Sequence, residues 1–216
     1  MSKFSESDKS DSVEDNSIGS EEQDAKGSYV ADEPITRVIS GVNVTNKQIP
    51  PSKTRIENIM VHCAASNPNA KAKDIQEWFL RSVAKGGRGW SKGGYAEIIE
   101  WNGTLVKLYD DEVPTNGVKA YKGVSNSNTL HICLVGGRTE GEISKEQKAT
   151  LEKRLLEKVE KYPHAKLLGH NQVAVKACPN FDVRRYSKSI GIEDKNIFWE
   201  DYYEIATKMK QIIDTI

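Results

Sequence analysis

At 216 residues the chain has room for one ordinary domain and a tail, not for two full domains. Hydrophobic residues make up 37% and charged residues 29%, and no apolar run approaches the roughly 18 residues needed to cross a bilayer, which argues against membrane insertion. The formal net charge of zero hides two unlike parts: residues 1–33 hold ten acids against three lysines, a net −7 that leaves +7 on residues 34–216.

Residues 1–33 are rich in Ser, Asp, Glu and Gly, and their few apolar side chains bury too little surface to offset ordering entropy. A disordered acidic tail is predicted. No hydrophobic segment follows a basic start, so no secretory signal is expected and synthesis is placed in the cytoplasm. Residues 34–50, with Pro34, Gly41, Asn46 and Pro50, read as a linker or a loosely attached strand. Order should begin near Arg55. Ile59–Cys63 is a short apolar run expected to form a buried strand. Ile75, Trp78, Phe79, Ser82 and Val83 mark one face of a helix starting around Asp74, which Gly86, Gly87 and Gly89 end. The next stretch, with Gly93 and Gly94, reads as a flexible loop.

Tyr95–Trp101 and Thr104–Tyr109 flank Asn102-Gly103, a hairpin signal because both residues tolerate positive φ. Leu130–Val135 is apolar except for His131, as expected of a central strand covered on both faces. Ser144 and Gln147 have capping-box spacing ahead of the stripe Leu151, Leu155, Val159 and Tyr162, which Pro163 terminates. Ala165–Gly169 is a strand leading into His170, and Asp182 caps a short helix closed by Gly191. Phe198, Tyr202, Ile205, Met209, Ile212 and Ile216 repeat at helical spacing and predict a C-terminal amphipathic helix that docks on the core or pairs with a partner. Strands interleaved with helices give an α/β fold: one domain with a central mixed sheet flanked by helices, preceded by the acidic tail.

Three cysteines, Cys63, Cys133 and Cys178, are too few and too odd for a disulfide framework and suit a reducing compartment. His62 ends a strand, His170 starts a loop, and Cys178 follows eight residues later. Two imidazoles and a thiolate form a set that zinc favours, with a fourth position left for water. Spacing alone leaves open the alternative of histidines that merely make structural hydrogen bonds, because no local metal-binding pattern is present. His131 and His164 are read as structural. Cys133, in the central strand, and Cys63, which strand alternation points away from His62, are read as packing residues.

Five blocks occur in one order: Val61-His62-Cys63-Ala64-Ala65, Gly94-Tyr95-Ala96-Glu97-Ile98-Ile99, Asn102-Gly103-Thr104, Ile132-Cys133-Leu134-Val135-Gly136-Gly137 and Lys176-Ala177-Cys178-Pro179-Asn180-Phe181-Asp182. Together they resemble the zinc-dependent N-acetylmuramoyl-L-alanine amidases of the type 2 family. The likeness is nearest to the amidase "lysozymes" of T-odd coliphages, with peptidoglycan recognition proteins more distant. It covers roughly residues 55–190 and leaves out the acidic tail and the final helix, so the chain divides into a tail and linker at 1–50, a catalytic domain at 51–192 and a C-terminal amphipathic helix at 193–216. It further implies that His62, His170 and Cys178 ligate one zinc ion and that Tyr95 and Lys176 are catalytic. The chain departs from many members at Ala96 and Lys119, where a histidine is common; substrate contacts are therefore not carried over.

The function so implied is hydrolysis of the amide between N-acetylmuramic acid and L-alanine in peptidoglycan, as in a phage-type bacteriolytic enzyme acting on the wall after release. One alternative is a non-catalytic peptidoglycan-binding module, whose members often carry serine at the third ligand; Cys178 favours catalysis. Another is an amidase with an added RNA polymerase-regulating contact, as in the coliphage relatives. Separately, the acidic tail or the C-terminal helix offers a place for a protein partner to dock. Nucleic-acid binding is not expected, since the basic residues are dispersed and no recognition motif appears.

Overall fold

Among the described residues, 36–38 and 56–201 of the computed structural model, six strands form one mixed sheet. In chain order the elements are β1 (Thr36–Val38), β2 (Asn58–Cys63), α1 (Ala72–Leu80), β3 (Glu97–Ile99), β4 (Leu105–Lys107), β5 (Thr129–Leu134), α2 (Lys145–Lys161), β6 (Lys166–Gly169) and α3 (Val183–Ser189). The strands lie in the order β1-β4-β3-β5-β2-β6. β2 runs parallel to both β5 and β6, β3 is parallel to β5, and β1 is parallel to β4. The β3–β4 hairpin is the antiparallel pair, turned at Asn102-Gly103 with Gly103 at φ 83°. Parallel strands of one sheet need long crossovers between them. Accordingly α1 lies between β2 and β3 in the chain, and α2 between β5 and β6.

β2 and β5 are buried along their whole length, and alternation divides their side chains between two faces. One face carries Ile59, Val61, Leu130, Ile132 and Leu134 into a core completed by Leu151 and Leu155 of α2 and Val183 of α3. The opposite face carries Met60, His62, His131 and Cys133; Met60 packs with Leu168 and Val173, and Cys133 with Ile98 and Val135. His62 and His131 therefore project from the face opposite the one that Leu151, Leu155 and Val183 cover.

The caps form as the sequence predicts. Ser144 Oγ accepts from the Gln147 N–H at 2.9 Å while Gln147 Oε1 accepts from the Ser144 N–H at 3.1 Å. Gln147 Nε2 also donates to the carbonyls of Ile99 and Val135, tying the first turn of α2 to the ends of two strands. Asp182 accepts from the Arg184 and Arg185 amides, and Gly191 follows α3 with φ 83°. An ion cluster joins α2 to the hairpin. Fully buried Glu97 receives Arg154 Nε at 2.9 Å and Lys158 Nζ at 3.0 Å, and Lys158 also reaches Asp111, which Lys161 binds at 2.7 Å.

Of the two readings of residues 34–50, the attached strand holds at 36–38, which pair in register with β4. Two expectations change. The first helix ends at Leu80, so its buried face is Ala72, Gln76 and Phe79. Trp78 (40% exposed) lies on another side of the helix, and Val83 (74%) lies beyond it, because the chain leaves the helix at Arg81 and Val83 starts a separate 3-10 turn. Phe198 packs on the core next to Val173 but is not helical. The acidic tail and residues 202–216 of the predicted C-terminal helix lie outside the described residues.

Candidate metal centre

Because β2 and β6 are adjacent and parallel, their carboxyl ends meet at one edge of the sheet, where open α/β sheets present their sites. His62 lies at the end of β2 and His170 directly follows β6. The loop after β6 then returns Cys178 to the same place. That loop is held by the Asn171 N–H donating to the Cys178 carbonyl at 2.7 Å, by Asn180 Nδ2 donating to the Gly137 carbonyl, and by the Cys63 N–H donating to Cys178 Sγ at 3.2 Å. His62 Nδ1 and Cys178 Sγ, 116 residues apart in sequence, stand 3.7 Å from one another. The His62 and His170 rings meet edge-on with centroids 4.7 Å apart. One ligand atom from each of the three residues falls within 4.8 Å of the others, a set able to hold a metal ion.

The electrostatics keep these donors ready. Burial, reinforced by the His131 and His170 rings and Lys176, pushes His62 well below 6.5. Burial and the Lys176 ammonium lower His170 to about 4. Both rings are thus neutral near pH 7 and offer lone pairs. Contact with Cys63 and burial hold the Cys178 thiol well above its ordinary value, so a proton must leave as a cation arrives. The Tyr95 ring lies tilted beside His62 at 5.1 Å and edge-on to Phe79 at 5.4 Å. Burial and neighbouring Cys133 raise its phenol well above 10, so it stays a hydrogen-bond donor. Lys176 is exposed, on the wall of a groove it shares with His170.

That groove has a volume of about 820 Å³ and includes Arg88, Trp90, Lys119 and Tyr121 among its lining residues, and none of the described residues that line it is a carboxylate. The Arg88 guanidinium lies 4.8 Å from the Trp78 ring centre and 5.9 Å from that of Trp90. Sequence reasoning took the glycine-rich stretch before Tyr95 only as a loop and so missed Arg88 and Trp90; no periodicity marks a groove wall. Of the two departures from the family pattern, Ala96 is buried in the core against α2, away from the groove, whereas Lys119 lines it. His164 is an exposed loop residue and Cys133 a fully buried one. Cys63 Sγ donates to the Gly137 carbonyl at 3.4 Å, and the Cys63 backbone touches Cys178. His131, expected to be structural, places Nδ1 3.0 Å from His62 Nε2.

Comparison with known proteins gives a consistent picture. The family profile described as N-acetylmuramoyl-L-alanine amidase matches residues 52–181. The endolysin of Escherichia phage T7 is 33% identical over 135 residues, 59% of this chain and 83% of the relative. Among solved structures, the Ph2119 endolysin from Thermus scotoductus MAT2119 bacteriophage Ph2119 superposes with a TM-score of 0.59 at 21% identity, covering 72% of this chain and 99% of that one. The N-acetylmuramoyl-L-alanine amidase LysC from Clostridium intestinale URNW gives 0.53 at 22% identity, over 74% and 100%. These two show the same fold. No helix among the described residues is long and apolar enough to cross a membrane.

Proposed function

This chain belongs to the N-acetylmuramoyl-L-alanine amidase family, and on that premise we propose that His62, His170 and Cys178 hold one zinc ion beside catalytic Tyr95 and Lys176. The enzyme is a peptidoglycan amidase, hydrolysing the bond between N-acetylmuramic acid and the L-alanine of the stem peptide. Kinship with phage endolysins supports a role in lysis, with synthesis in the host cytoplasm and action on the wall afterwards.

The observation that carries the zinc reading is the closeness of two neutral imidazoles and a thiol, all within 4.8 Å. Zinc–nitrogen and zinc–sulfur bonds of about 2.0 and 2.3 Å at a tetrahedral angle separate their donors by about 3.5 Å. The 3.7 Å between His62 Nδ1 and Cys178 Sγ fits that spacing. When bound, zinc supplies Lewis-acid polarisation of the scissile carbonyl and a water acidified towards neutrality. The chain's own residues do the rest. The Tyr95 hydroxyl donates to the oxygen that gains charge as the amide is attacked, and the Lys176 ammonium stabilises the same charge. Arg88, Lys119 and Lys176 give the groove a positive field suited to an acidic stem peptide.

Metal content and release of soluble fragments from purified walls test this reading together. The wild-type protein is expected to carry one zinc and to cleave. Cys178→Ala is expected to lose both properties, and Lys176→Ala to keep the metal while slowing roughly a hundred- to a thousandfold. Normal cleavage by Cys178→Ala would show the ligand set to be wrong.

A further inference from the structure

His131 is fully buried in the middle of β5, between Leu130 and Ile132. An imidazole is a costly occupant of such a place, because it brings an N–H and a lone pair out of water, and an apolar side chain would not. Its Nδ1 lies 3.0 Å from His62 Nε2, the rings tilted by 55°. Two ring nitrogens at that distance bond only if one carries a proton and the other a lone pair.

Which one donates follows from the far side of His62. Its Nδ1 faces Cys178 Sγ at 3.7 Å and is the nitrogen that must offer a lone pair to an ion. The His62 proton therefore sits on Nε2 and is donated to His131 Nδ1. His131 in turn carries its own proton on Nε2, which no described residue accepts. The arrangement favours the bond to His62 and leaves the other nitrogen unserved. The fold makes room for it: a Cβ at Gly117 would lie 2.5 Å from both Cγ and Nδ1 of His131.

We propose that His131 is a positioning residue that fixes the proton of His62 on Nε2 and so aims the Nδ1 lone pair at the metal; this rests on the reading of His62 as a ligand. Metal-bound histidines are usually oriented by a carboxylate, a carbonyl or water. Here a second, neutral imidazole does the work.

The test uses the full chain, zinc alone as the probe, and three readouts: zinc affinity by chelator competition, the visible spectrum of the cobalt-substituted protein, and the melting temperature of the metal-free protein. His131→Leu removes the acceptor, and His131→Asn keeps an oxygen acceptor near the position of Nδ1. The leucine variant is expected to melt no lower when metal-free, to bind zinc roughly 10- to 100-fold more weakly and to change the cobalt spectrum. The asparagine variant is expected to restore most of the affinity. Wild-type affinity in His131→Leu, or equal weakness in both variants, would overturn the proposal. If His131→Leu does not fold, nitrogen NMR of the zinc-loaded wild type reads the tautomer directly: a proton on His62 Nε2 supports the proposal and a proton on His131 Nδ1 overturns it. A wild-type chain that takes up no zinc would instead overturn the ligand assignment beneath it.

Discussion

Tyr95 shows how a residue's surroundings decide its use. Packed between His62 and Phe79 and pushed far above its ordinary pKa, the phenol serves as a donor and not as a base at neutral pH. Tyr95→Phe is therefore expected to keep both fold and zinc while lowering wall cleavage by roughly a hundred- to a thousandfold, measured as initial rate against metal content. The raised Cys178 thiol makes a separate prediction. Because it must shed a proton to ligate, zinc affinity in a chelator competition should fall as the pH is lowered and recover when it is raised. A pH-independent affinity would mean that Cys178 is no ligand. The resemblance singled out His62, His170 and Cys178 in the sequence, whereas composition and spacing left them ambiguous; the structure brings the three side chains together. His131 was not legible as a functional residue, since a lone histidine in an apolar strand looks the same whether or not its ring nitrogen meets a ligand.

α2 is amphipathic in the ordinary way, yet Lys158 sits on its buried side at 3% exposure. That lysine bridges Glu97 on β3 and Asp111 beyond β4. Burial by itself would lift the Asp111 carboxyl, but hydrogen bonds from Lys158 and Lys161 outweigh it and hold the group well below the usual carboxylate range. Removing one member of such a buried set leaves its partners as uncompensated charges. Lys158→Ala is accordingly expected to cost about 3–5 kcal/mol, read from the urea unfolding midpoint. Ser144→Ala, which removes a cap, should cost only about 1 kcal/mol. Helix limits set by caps were readable in advance, as at Ser144, Asp182 and Gly191. The buried face of α1 was not, because Val83 fits its period until the chain turns away at Arg81, and the face that forms is Ala72, Gln76 and Phe79, which leaves Trp78 to one side.

In the metal-free molecule the histidines also govern acid stability. Burial holds His131 near pKa 3 and His170 near 4, against 6.5 when exposed. Below pH 6.5 the unfolded chain takes up protons that the folded chain cannot, so stability is complete above that pH and falls progressively towards pH 4 and 3. Thermal scans of zinc-free protein should show this decline. Zinc in hundredfold excess over its dissociation constant is expected to add about 2.7 kcal/mol, equivalent to a rise of about 5–10 °C in melting temperature that a chelator reverses.

Strand, hairpin and cap positions follow from signals spanning only a few residues, and for this chain such signals carried the α/β class and most element limits from the sequence alone. The family blocks singled out His62, His170 and Cys178. Convergence of His62 with His170 and Cys178 was decided by the parallel register of β2 with β6, which local patterning does not encode. The groove of Arg88, Trp90 and Lys119 and the pairing of His131 with His62 depend likewise on distant segments packing together. Those arrangements exist only once the sheet has closed, because a side chain's partners across strands are fixed by register and burial and not by its neighbours in the chain.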